Sequence, residues 1–295
     1  MAYPRTETAE TLHHPVLIET TPQGLRRWSS ARRRAGETIG LVPTMGALHE
    51  GHLNLMAELS KVVDRVVVSI FVNPTQFGPN EDFSRYPRTE TEDLAKLSAL
   101  GVIDVAYMPT PDVMYPNGFS TEISVGGPLT QTLDAVARPG HFTGVATVVS
   151  KLLIQAMPDV AAFGEKDYQQ LQIIRRMVTD LNLPIEIMPV PTVRDAHGLA
   201  LSSRNAYLSA EELVSARQLN KILAAAGQRL RNGATGTAVC EQAKQELLAA
   251  GFASVDYVAF ADPDNLAPLE TFEERGRLLA AARLGKTRLI DNMAV

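Results

Sequence analysis

Two histidines, His49 and His52, are spaced so that they could act together on an anionic ligand. They lie in the segment Pro43-Thr-Met-Gly-Ala-Leu-His-Glu-Gly-His52, directly after a short apolar stretch. If a helix begins just before His49, both imidazoles share one face of its first turn and can donate to phosphate oxygens. The backbone amides of such a turn form an anion site, and Gly46 and Gly51 leave room for a flat ligand. Two unrelated surface histidines at a helix start fit this segment about equally well.

Two further polar segments also follow strand-like stretches. In Phe71-Val-Asn-Pro-Thr-Gln-Phe-Gly78, Asn73 and Gln76 suit hydroxyls or a carboxylate, although Asn-Pro is first of all a turn signal. In Phe163-Gly-Glu-Lys-Asp-Tyr-Gln-Gln170, Lys166 at a helix start can pair with phosphate, and Gln170 lies one turn further along the same face. A solvated lysine is the more common outcome for such a position taken alone.

Two more segments supply cations and hydroxyls. Leu199-Ala-Leu-Ser-Ser-Arg-Asn205 combines two serines and a guanidinium, a compact set of phosphate donors placed where a closing loop would be useful. A polar capping loop explains this segment equally well. Arg138-Pro-Gly-His-Phe-Thr143 supplies further cations before an apolar helix and is not specific.

Several familiar catalytic patterns are excluded. A zinc-protease helix needs His-Glu-x-x-His, but the residue four after His49 is Leu53. Gly285-Lys286-Thr287 resembles the end of a phosphate-binding loop, but Ala280 stands where that loop needs its first glycine, so a turn between strands is expected. The chain has no Gly-x-Gly-x-x-Gly motif, which counts against a dinucleotide dehydrogenase. The sequence also shows no Ser-His-Asp or Cys-His set of the kind that activates a covalent nucleophile.

Alternating patterns predict the elements that position these segments. Nearly continuous β-branched residues at 65–72 are typical of a strand buried on both faces of a parallel sheet. At 143–157, apolar residues recur at helical spacing until Pro158 ends the helix. The alternation predicts strands at 38–42, 65–72, 103–107, 159–163 and 185–190, with helices at 51–63, 90–101, 143–157 and 168–180. This is the pattern of an α/β protein with a Rossmann-like, doubly wound parallel sheet.

Beyond Pro191 the pattern changes to helices followed by strands. Ala-rich helices are predicted at 209–231 and 235–250, and strands at 254–261, 277–283 and 287–290. This order indicates a second, smaller α+β domain. We therefore predict a nucleotide- and substrate-binding domain of residues 1–191 and a C-terminal lid domain of residues 192–295, joined by Pro189-Val190-Pro191 as a stiff linker.

Composition narrows the function classes further. The 295 residues carry 28 Lys and Arg against 33 Asp and Glu, and aromatic residues make up only 6%, which argues against a nucleic-acid surface. The one cysteine, Cys240, excludes a disulfide framework, and no apolar run is long enough to cross a membrane. The polar start at Met1–His14 lacks a signal core, so we expect a cytoplasmic protein. The residues alone lead to a nucleotide-dependent transferase or ligase.

The segments at 43–52, 71–78, 163–170 and 202–205, in that order, resemble the pantothenate synthetase (pantoate–β-alanine ligase) family. That family belongs to the nucleotidyltransferase superfamily, which includes class I aminoacyl-tRNA synthetases. The resemblance runs from about Ile39 to Asn292 and departs at Leu201, where the family often has Met, a change of little consequence for volume. It implies that ATP and pantoate give pantoyl adenylate and pyrophosphate, and that β-alanine then displaces AMP to give pantothenate.

The resemblance also implies site residues. Pantoate would be held by Gln76 and Gln170, with Gln76 also near β-alanine, and His52 matches the family's catalytic histidine; His49, Lys166 and Arg204 are grouped with it as catalytic. The implied ATP-binding residues are Met45, Gly46, Ala47, Leu48, His49, Glu50, Gly51, His52, Gly164, Glu165, Lys166, Asp167, Val193, Leu201, Ser202, Ser203 and Arg204. Mg²⁺ is expected with ATP, without a named protein ligand, since phosphates and water supply most of its coordination. A homodimer is implied as well.

Two other functions stay open at this point. One is a related adenylyl- or cytidylyltransferase with a different acceptor. The other is a nucleotide-binding or regulatory protein that kept the site and lost catalysis. An aminoacyl-tRNA synthetase is disfavoured, because the chain is acidic overall and has no basic domain of a size to bind tRNA.

Overall fold

The computed structural model describes residues 15–79 and 81–295, so the polar start predicted at Met1–His14 lies outside the described residues. The larger part of the chain is built on a six-stranded sheet with the order β1-β4-β3-β2-β5-β6, and all its neighbouring strands are parallel. The strands are β1 (Leu17–Glu19), β2 (Ile39–Thr44), β3 (Arg65–Ile70), β4 (Val105–Tyr107), β5 (Val160–Gly164) and β6 (Glu186–Val190). The predicted fold class is confirmed.

Helices cover both faces of this sheet. They are α1 (Pro22–Arg34), α2 (Glu50–Leu59), α3 (Glu90–Leu100), α4 (Pro111–Met114), α5 (Asp134–Ala137), α6 (His141–Ala156) and α7 (Tyr168–Asp180). α1, α6 and α7 share one apolar core with one face of the sheet, and α2 and α3 share another with the opposite face. The strand β3 is buried from Val66 to Ile70 because both faces are covered, as its β-branched run predicts.

The order of the strands places a crevice above β2 and β5. From β2 the chain continues to β3 on one side, whereas β5 and β6 lie on the other side. Helices therefore leave the carboxyl ends of β2 and β5 in opposite directions, and this topological switch point is where open α/β sheets bind ligands.

The C-terminal part folds as predicted, around an antiparallel sheet of three strands, β7 (Ser254–Ala261), β8 (Arg277–Leu284) and β9 (Thr287–Ala294). Its helices are α8 (Ala210–Ala216), α9 (Gln218–Arg231) and α10 (Gly236–Ala249), and they form a separate apolar core with the sheet. The helix predicted at 209–231 is interrupted at Arg217, whose side chain bonds Asp195 at 3.1 Å.

Two features differ from the sequence-based expectation. Pro189 and Val190, expected in a stiff linker, are the last residues of β6; a proline is tolerated there because β6 is an edge strand. β1 and α1 were not predicted, because β1 has three residues and the strongly basic α1 buries only Gly24, Leu25 and Ser29. The domain boundary at 191/192 stays a prediction.

Candidate active site

A cleft of about 220 Å³ lies at the carboxyl edge of the parallel sheet. Residues from all four predicted segments line it, together with Pro191, Thr192 and Val193 just after β6. One apolar wall comes from α6, through Val145, Val148, Val149 and Leu152. The apolar residues that predict this helix therefore pack in the core and also line the cleft.

His49 and His52 meet at the start of α2, with ring centroids 4.1 Å apart. His49 caps the helix, and its Nδ1 accepts the Gly51 N–H at 3.1 Å. The Nδ1 of His52 in turn accepts the His49 N–H at 3.4 Å. Since Nδ1 is an acceptor in both rings, the neutral imidazoles carry their proton on Nε2. Each ring therefore has an Nε2–H to donate.

His49 and His52 are both neutral at pH 7. Burial lowers the pKa of His49 to about 4, and the positive charges of Lys166 and Lys96 act in the same direction. Burial also lowers the pKa of His52 to about 3, helped by its neighbour His49 and by the same two lysines. These imidazoles can therefore act as hydrogen-bond donors without adding charge to the cleft.

The backbone amides before α2 are already occupied, which differs from the expectation that they form an anion site. Asp93 of α3 is fully buried and accepts the N–H groups of Ala47 (2.9 Å) and Leu48 (2.8 Å). The Gly46 N–H donates to the Thr44 hydroxyl at 3.2 Å, and Lys96 of α3 donates to the Leu48 carbonyl at 2.6 Å. Two side chains of α3 thus fix the loop, and the amides of Gly46, Ala47 and Leu48 are not available to an anion.

Lys166 lies directly after β5 and lines the cleft. Its Nζ lies 4.0 Å from Oδ2 of the neighbouring Asp167, which is a long distance for an ion pair. The side-chain amide of Asn292, in β9, donates to the carbonyls of Glu165 and Lys166, both at 2.9 Å. The C-terminal domain therefore holds the backbone from which this lysine projects.

Arg204 enters the cleft from the segment between β6 and α8. Its guanidinium donates to both oxygens of Asp82, at 3.0 and 2.9 Å, and lies 5.7 Å from the ring centre of Tyr86. Next to it, the Ser203 hydroxyl donates to the Ala47 carbonyl at 3.2 Å. The serine thus joins this segment to the histidine loop.

Gln76 is held by a network that follows β3. Asn73 is buried, and its amide nitrogen donates to Gln76 Oε1 (3.1 Å) and to the Gly144 carbonyl of α6 (3.2 Å). The Tyr115 hydroxyl donates to Asn73 Oδ1 at 2.7 Å. Gln170 of α7 lines the same cleft. Two amides suited to a hydroxy acid are therefore present together.

Arg138 and His141 also line the cleft, although sequence reasoning treated their segment as a non-specific source of cations. Arg138 forms a two-bond ion pair with Glu81 and donates to His141 Nε2 at 2.8 Å. His141 Nδ1 then donates to the Gln76 carbonyl at 2.8 Å. Burial and the adjacent Arg138 lower the pKa of His141 to about 4, so it is neutral rather than a cation. The spacing of arginine and histidine at a helix start was the signal for this pair.

Most of the predicted binding residues line the cleft. They are Met45, His49, Gly51, His52, Gln76, Gly164, Lys166, Asp167, Gln170, Val193, Leu201, Ser202, Ser203 and Arg204. Five predicted ATP-binding residues do not: Gly46, Ala47, Leu48, Glu50 and Glu165. Leu48 is in the core, Glu50 is exposed at the helix start, and Glu165 pairs with Arg277 at 3.3 Å. The binding roles of all the predicted residues, inside and outside the cleft, stay predictions.

The described part of the chain has neither a membrane-spanning helix nor a cluster of metal ligands. No helix at 15–79 or 81–295 is both long and apolar enough to span a membrane. Within the same residues, no group of three or more His, Cys, Asp or Glu side chains converges as metal ligands do.

The fold and the cleft define a class: two-domain α/β proteins with a ligand site at the carboxyl edge of a parallel sheet. Comparison with known proteins is more specific. The pantoate-beta-alanine ligase family model matches residues 17–294, and the chain belongs to that family. The prediction of an enzyme of this family is confirmed.

The relatives match over nearly their whole length. The pantothenate synthetase of Paramagnetospirillum magneticum is 53% identical, over 95% of this chain and 98% of that protein. The crystal structure of pantothenate synthetase from Thermus thermophilus has a TM-score of 0.88 at 44% identity, over 95% and 99% of the two chains. The pantoate-beta-alanine ligase of Francisella tularensis, crystallised with beta-gamma ATP and beta-alanine, has a TM-score of 0.79 at 33% identity, over 95% and 97%.

Proposed function

We propose that this protein condenses pantoate with β-alanine at the expense of ATP, through a pantoyl adenylate. The observation that carries the proposal is the meeting of Lys166, Arg204 and two neutral histidines with Gln76 and Gln170 in one cleft. The family supports the overall reaction, and the Francisella relative in complex with beta-gamma ATP and beta-alanine supports the choice of ligands.

In the first step, a carboxylate oxygen of pantoate attacks the α-phosphorus of ATP. The bond from that phosphorus to the bridging oxygen breaks, and pyrophosphate leaves with the electron pair. Two anions must approach, so positioning and charge stabilisation dominate. Lys166 and Arg204 supply charge near the phosphates, while the Nε2–H groups of His49 and His52 donate to phosphate oxygens.

In the second step, the neutral amine of β-alanine attacks the acyl carbon of the adenylate. The acyl–oxygen bond breaks, AMP departs with the electron pair, and the nitrogen loses one proton to water. Gln76 and Gln170 orient pantoate, and Gln76 also contacts β-alanine. The apolar wall of α6 keeps water from the mixed anhydride.

Mg²⁺ accompanies the triphosphate in this proposal. Mg²⁺ is usually bound by phosphates, water and one or two carboxylates, and Asp82 and Asp167 line the pocket beside Lys166 and Arg204. Both oxygens of Asp82 accept from Arg204, so Asp167 is the more available carboxylate for a magnesium ion that the nucleotide brings. When bound, the ion neutralises negative charge on the phosphates.

Omitting one substrate at a time tests the proposal. AMP release should require ATP, pantoate and β-alanine together, and radioactive pyrophosphate should exchange into ATP only when pantoate is present. A nucleotidyltransferase with another acceptor shows no pantoate-dependent exchange. A protein that only binds nucleotide binds ATP and releases no AMP. Either result would overturn the proposal.

The family resemblance also supports a homodimer in the cytoplasm, which we include in the proposal. Light scattering coupled to size-exclusion chromatography measures the mass in solution, and a monomer at all concentrations would contradict it.

A further inference from the structure

A second pocket adjoins the cleft at Lys166 and Arg204. It shares five lining residues with the cleft, namely Arg138, Lys166, Asp167, Ser202 and Arg204. Beyond these shared residues it extends between the loop at 81–85 and the turn that joins β8 to β9. We call it the side pocket.

The side pocket is strongly basic in a chain with a net charge of −5. Its carboxylates are Glu81, Asp82 and Asp167. It has more than twice as many cationic side chains as carboxylates. They are Arg85, Arg138, Lys166, Arg204, Arg283, Lys286 and Arg288. A narrow space walled by such an excess of cations attracts anions of high charge.

Four cationic side chains line the side pocket but not the cleft, and they differ in whether a carboxylate already pairs with them. Arg288 is paired with Asp134 at 2.5 Å and with Asp256 at 2.7 Å, whereas Arg283 reaches Asp256 only at 3.9 Å. Among the residues at 15–79 and 81–295, Arg85 and Lys286 form no ion pair, and both are exposed. These two cations are free to bind an anion that enters the pocket.

We propose that the side pocket binds inorganic pyrophosphate after it leaves ATP, and that Lys286 and Arg85 attract it there. The inference rests on the proposed function, which makes pyrophosphate the leaving group. In phosphoryl-type transfer the nucleophile and the leaving group lie roughly in line on opposite sides of phosphorus. Gln76 and Gln170 line the cleft and not the side pocket, whereas Lys166 and Arg204 line both. With pantoate at the two glutamines, pyrophosphate leaves on the side of Lys166 and Arg204.

The separation of the two cavities distinguishes free pyrophosphate from bound ATP. Lys286 and Arg85 line the side pocket and not the cleft, so they act mainly on the released anion. Lys166 and Arg204 line both cavities and act on both species. Substitution of the first pair should therefore affect pyrophosphate more than ATP.

The test is the pantoate-dependent exchange of pyrophosphate into ATP, measured with Lys286→Glu. Reversal of one charge should raise the KM for pyrophosphate roughly 3- to 10-fold, while the KM for ATP changes less than about twofold. Lys221→Glu is the matched control, because Lys221 is exposed on α9, lines neither cavity and carries the same charge change. It should behave as the wild type.

Arg85→Glu provides a second, independent variant, and salt provides a further measurement. The KM for pyrophosphate should rise with ionic strength more steeply in the wild type than in either variant, since screening weakens an attraction that the variants lack. An unchanged KM for pyrophosphate in both variants, or an equal rise in the KM for ATP, overturns the inference. Absence of exchange in the wild type overturns the proposed function instead.

Discussion

The imidazoles of His49 and His52 direct their Nδ1 atoms to the loop backbone and keep Nε2–H for a ligand. Because burial holds the pKa of both rings far below neutrality, they contribute dipoles in a low-dielectric cleft, where preorganised donors are worth more than in water. The cationic side chains in the cleft are Arg138, Lys166 and Arg204, and the two arginines are paired with carboxylates. The two histidines are therefore neutral hydrogen-bond donors, and the charge of the cleft comes from other side chains.

Replacement of His52 tests the role of its Nε2–H. We expect His52→Ala to lower kcat of adenylate formation roughly 10²- to 10³-fold, as the loss of one preorganised donor does, with a modest change in the KM for ATP. His52→Gln, whose amide nitrogen lies near the position of Nε2, should retain more activity than His52→Asn, whose amide lies near Nδ1. Rapid-quench measurement of adenylate formation gives these rates. Unchanged turnover in His52→Ala would contradict a catalytic role.

Lys166 and Arg204 should matter more in the first half-reaction than in the second. The triphosphate is present only until pyrophosphate leaves, so Lys166→Ala and Arg204→Ala should slow adenylate formation more than its reaction with β-alanine. Single-turnover experiments that start from ATP or from preformed pantoyl adenylate separate the two rates. Equal losses in both half-reactions would point to a folding defect.

At the scale of elements, the predictable part of this protein is the part that local patterns encode. The β-branched run of β3 and the apolar stripe of α6 reflect direct burial. The carboxyl ends of parallel strands share one edge, and four separate segments therefore meet in one cleft, as their positions after strands indicate. Fold class and most cleft residues follow from this reasoning.

The supports of the site could not be predicted, because they depend on long-range packing. Asp93 reaches Leu48 across 45 positions, and Asn292 reaches Lys166 across 126. No local spacing marks Asp93 as the residue that occupies the loop amides. The same limit applies to His141, which is 65 positions from Gln76. The sequence indicates the residues that line the cleft better than those that hold them in place.

Gly144 connects α6 to the turn that carries Gln76. A Cβ at this position would lie 2.4 Å from the Thr75 carbonyl oxygen and 2.8 Å from Gln76 Cα, so the backbone of the turn must move. We therefore expect Gly144→Ala to raise the KM for pantoate about tenfold or more, since displacement of a positioning group is costly, with a smaller effect on the KM for ATP.

Gly126→Ala is the matched control for Gly144→Ala. A Cβ at Gly126 meets nothing within 4 Å, so this variant should retain wild-type kinetics. Steady-state kinetics with each substrate varied in turn provides the comparison. An unchanged KM for pantoate in Gly144→Ala would show that the contact with the turn does not position Gln76.

At the scale of the whole molecule, the two domains meet through both apolar and polar contacts of the C-terminal sheet. Ala261 and Leu279 belong to the apolar core of α1, α6 and α7. Asp134 of α5 accepts from Arg288 (2.5 Å) and from the Tyr257 hydroxyl (2.9 Å). Arg277 lies 3.7 Å from the ring centre of Tyr168 at the start of α7. These contacts dock the smaller domain on α5 and on the segment that carries Lys166, so the geometry of the cleft depends on the docking.

Stability should fall as the pH is lowered from 6.5 to about 4.5. The folded protein keeps the pKa of His49, His52 and His141 at about 4, 3 and 4, below the ordinary value of 6.5. In this window the unfolded chain binds protons that the folded chain does not, so the free energy of unfolding decreases as the pH falls. The loss is on the order of 2 kcal/mol by pH 5 for each histidine that is fully shielded. Carboxylates whose pKa is lowered in the folded protein, such as Glu81 and Asp134, also stabilise it. That contribution is lost at lower pH, as the pH falls below the ordinary carboxyl pKa values of 3.8 to 4.5.

Urea unfolding at pH 7, 6 and 5 measures this dependence. His141→Gln removes one of the three shielded imidazoles and should flatten the decline of the unfolding free energy between pH 6.5 and 5. His197→Gln, at an exposed position in the turn that follows Asp195, is the matched control and should keep the wild-type slope. Identical slopes in the wild type and His141→Gln would show that His141 is protonated as readily in the folded protein as in the unfolded chain. The hydrogen bond that Arg138 donates to a neutral His141 ring would then have to be abandoned, because a protonated ring cannot accept the arginine N–H.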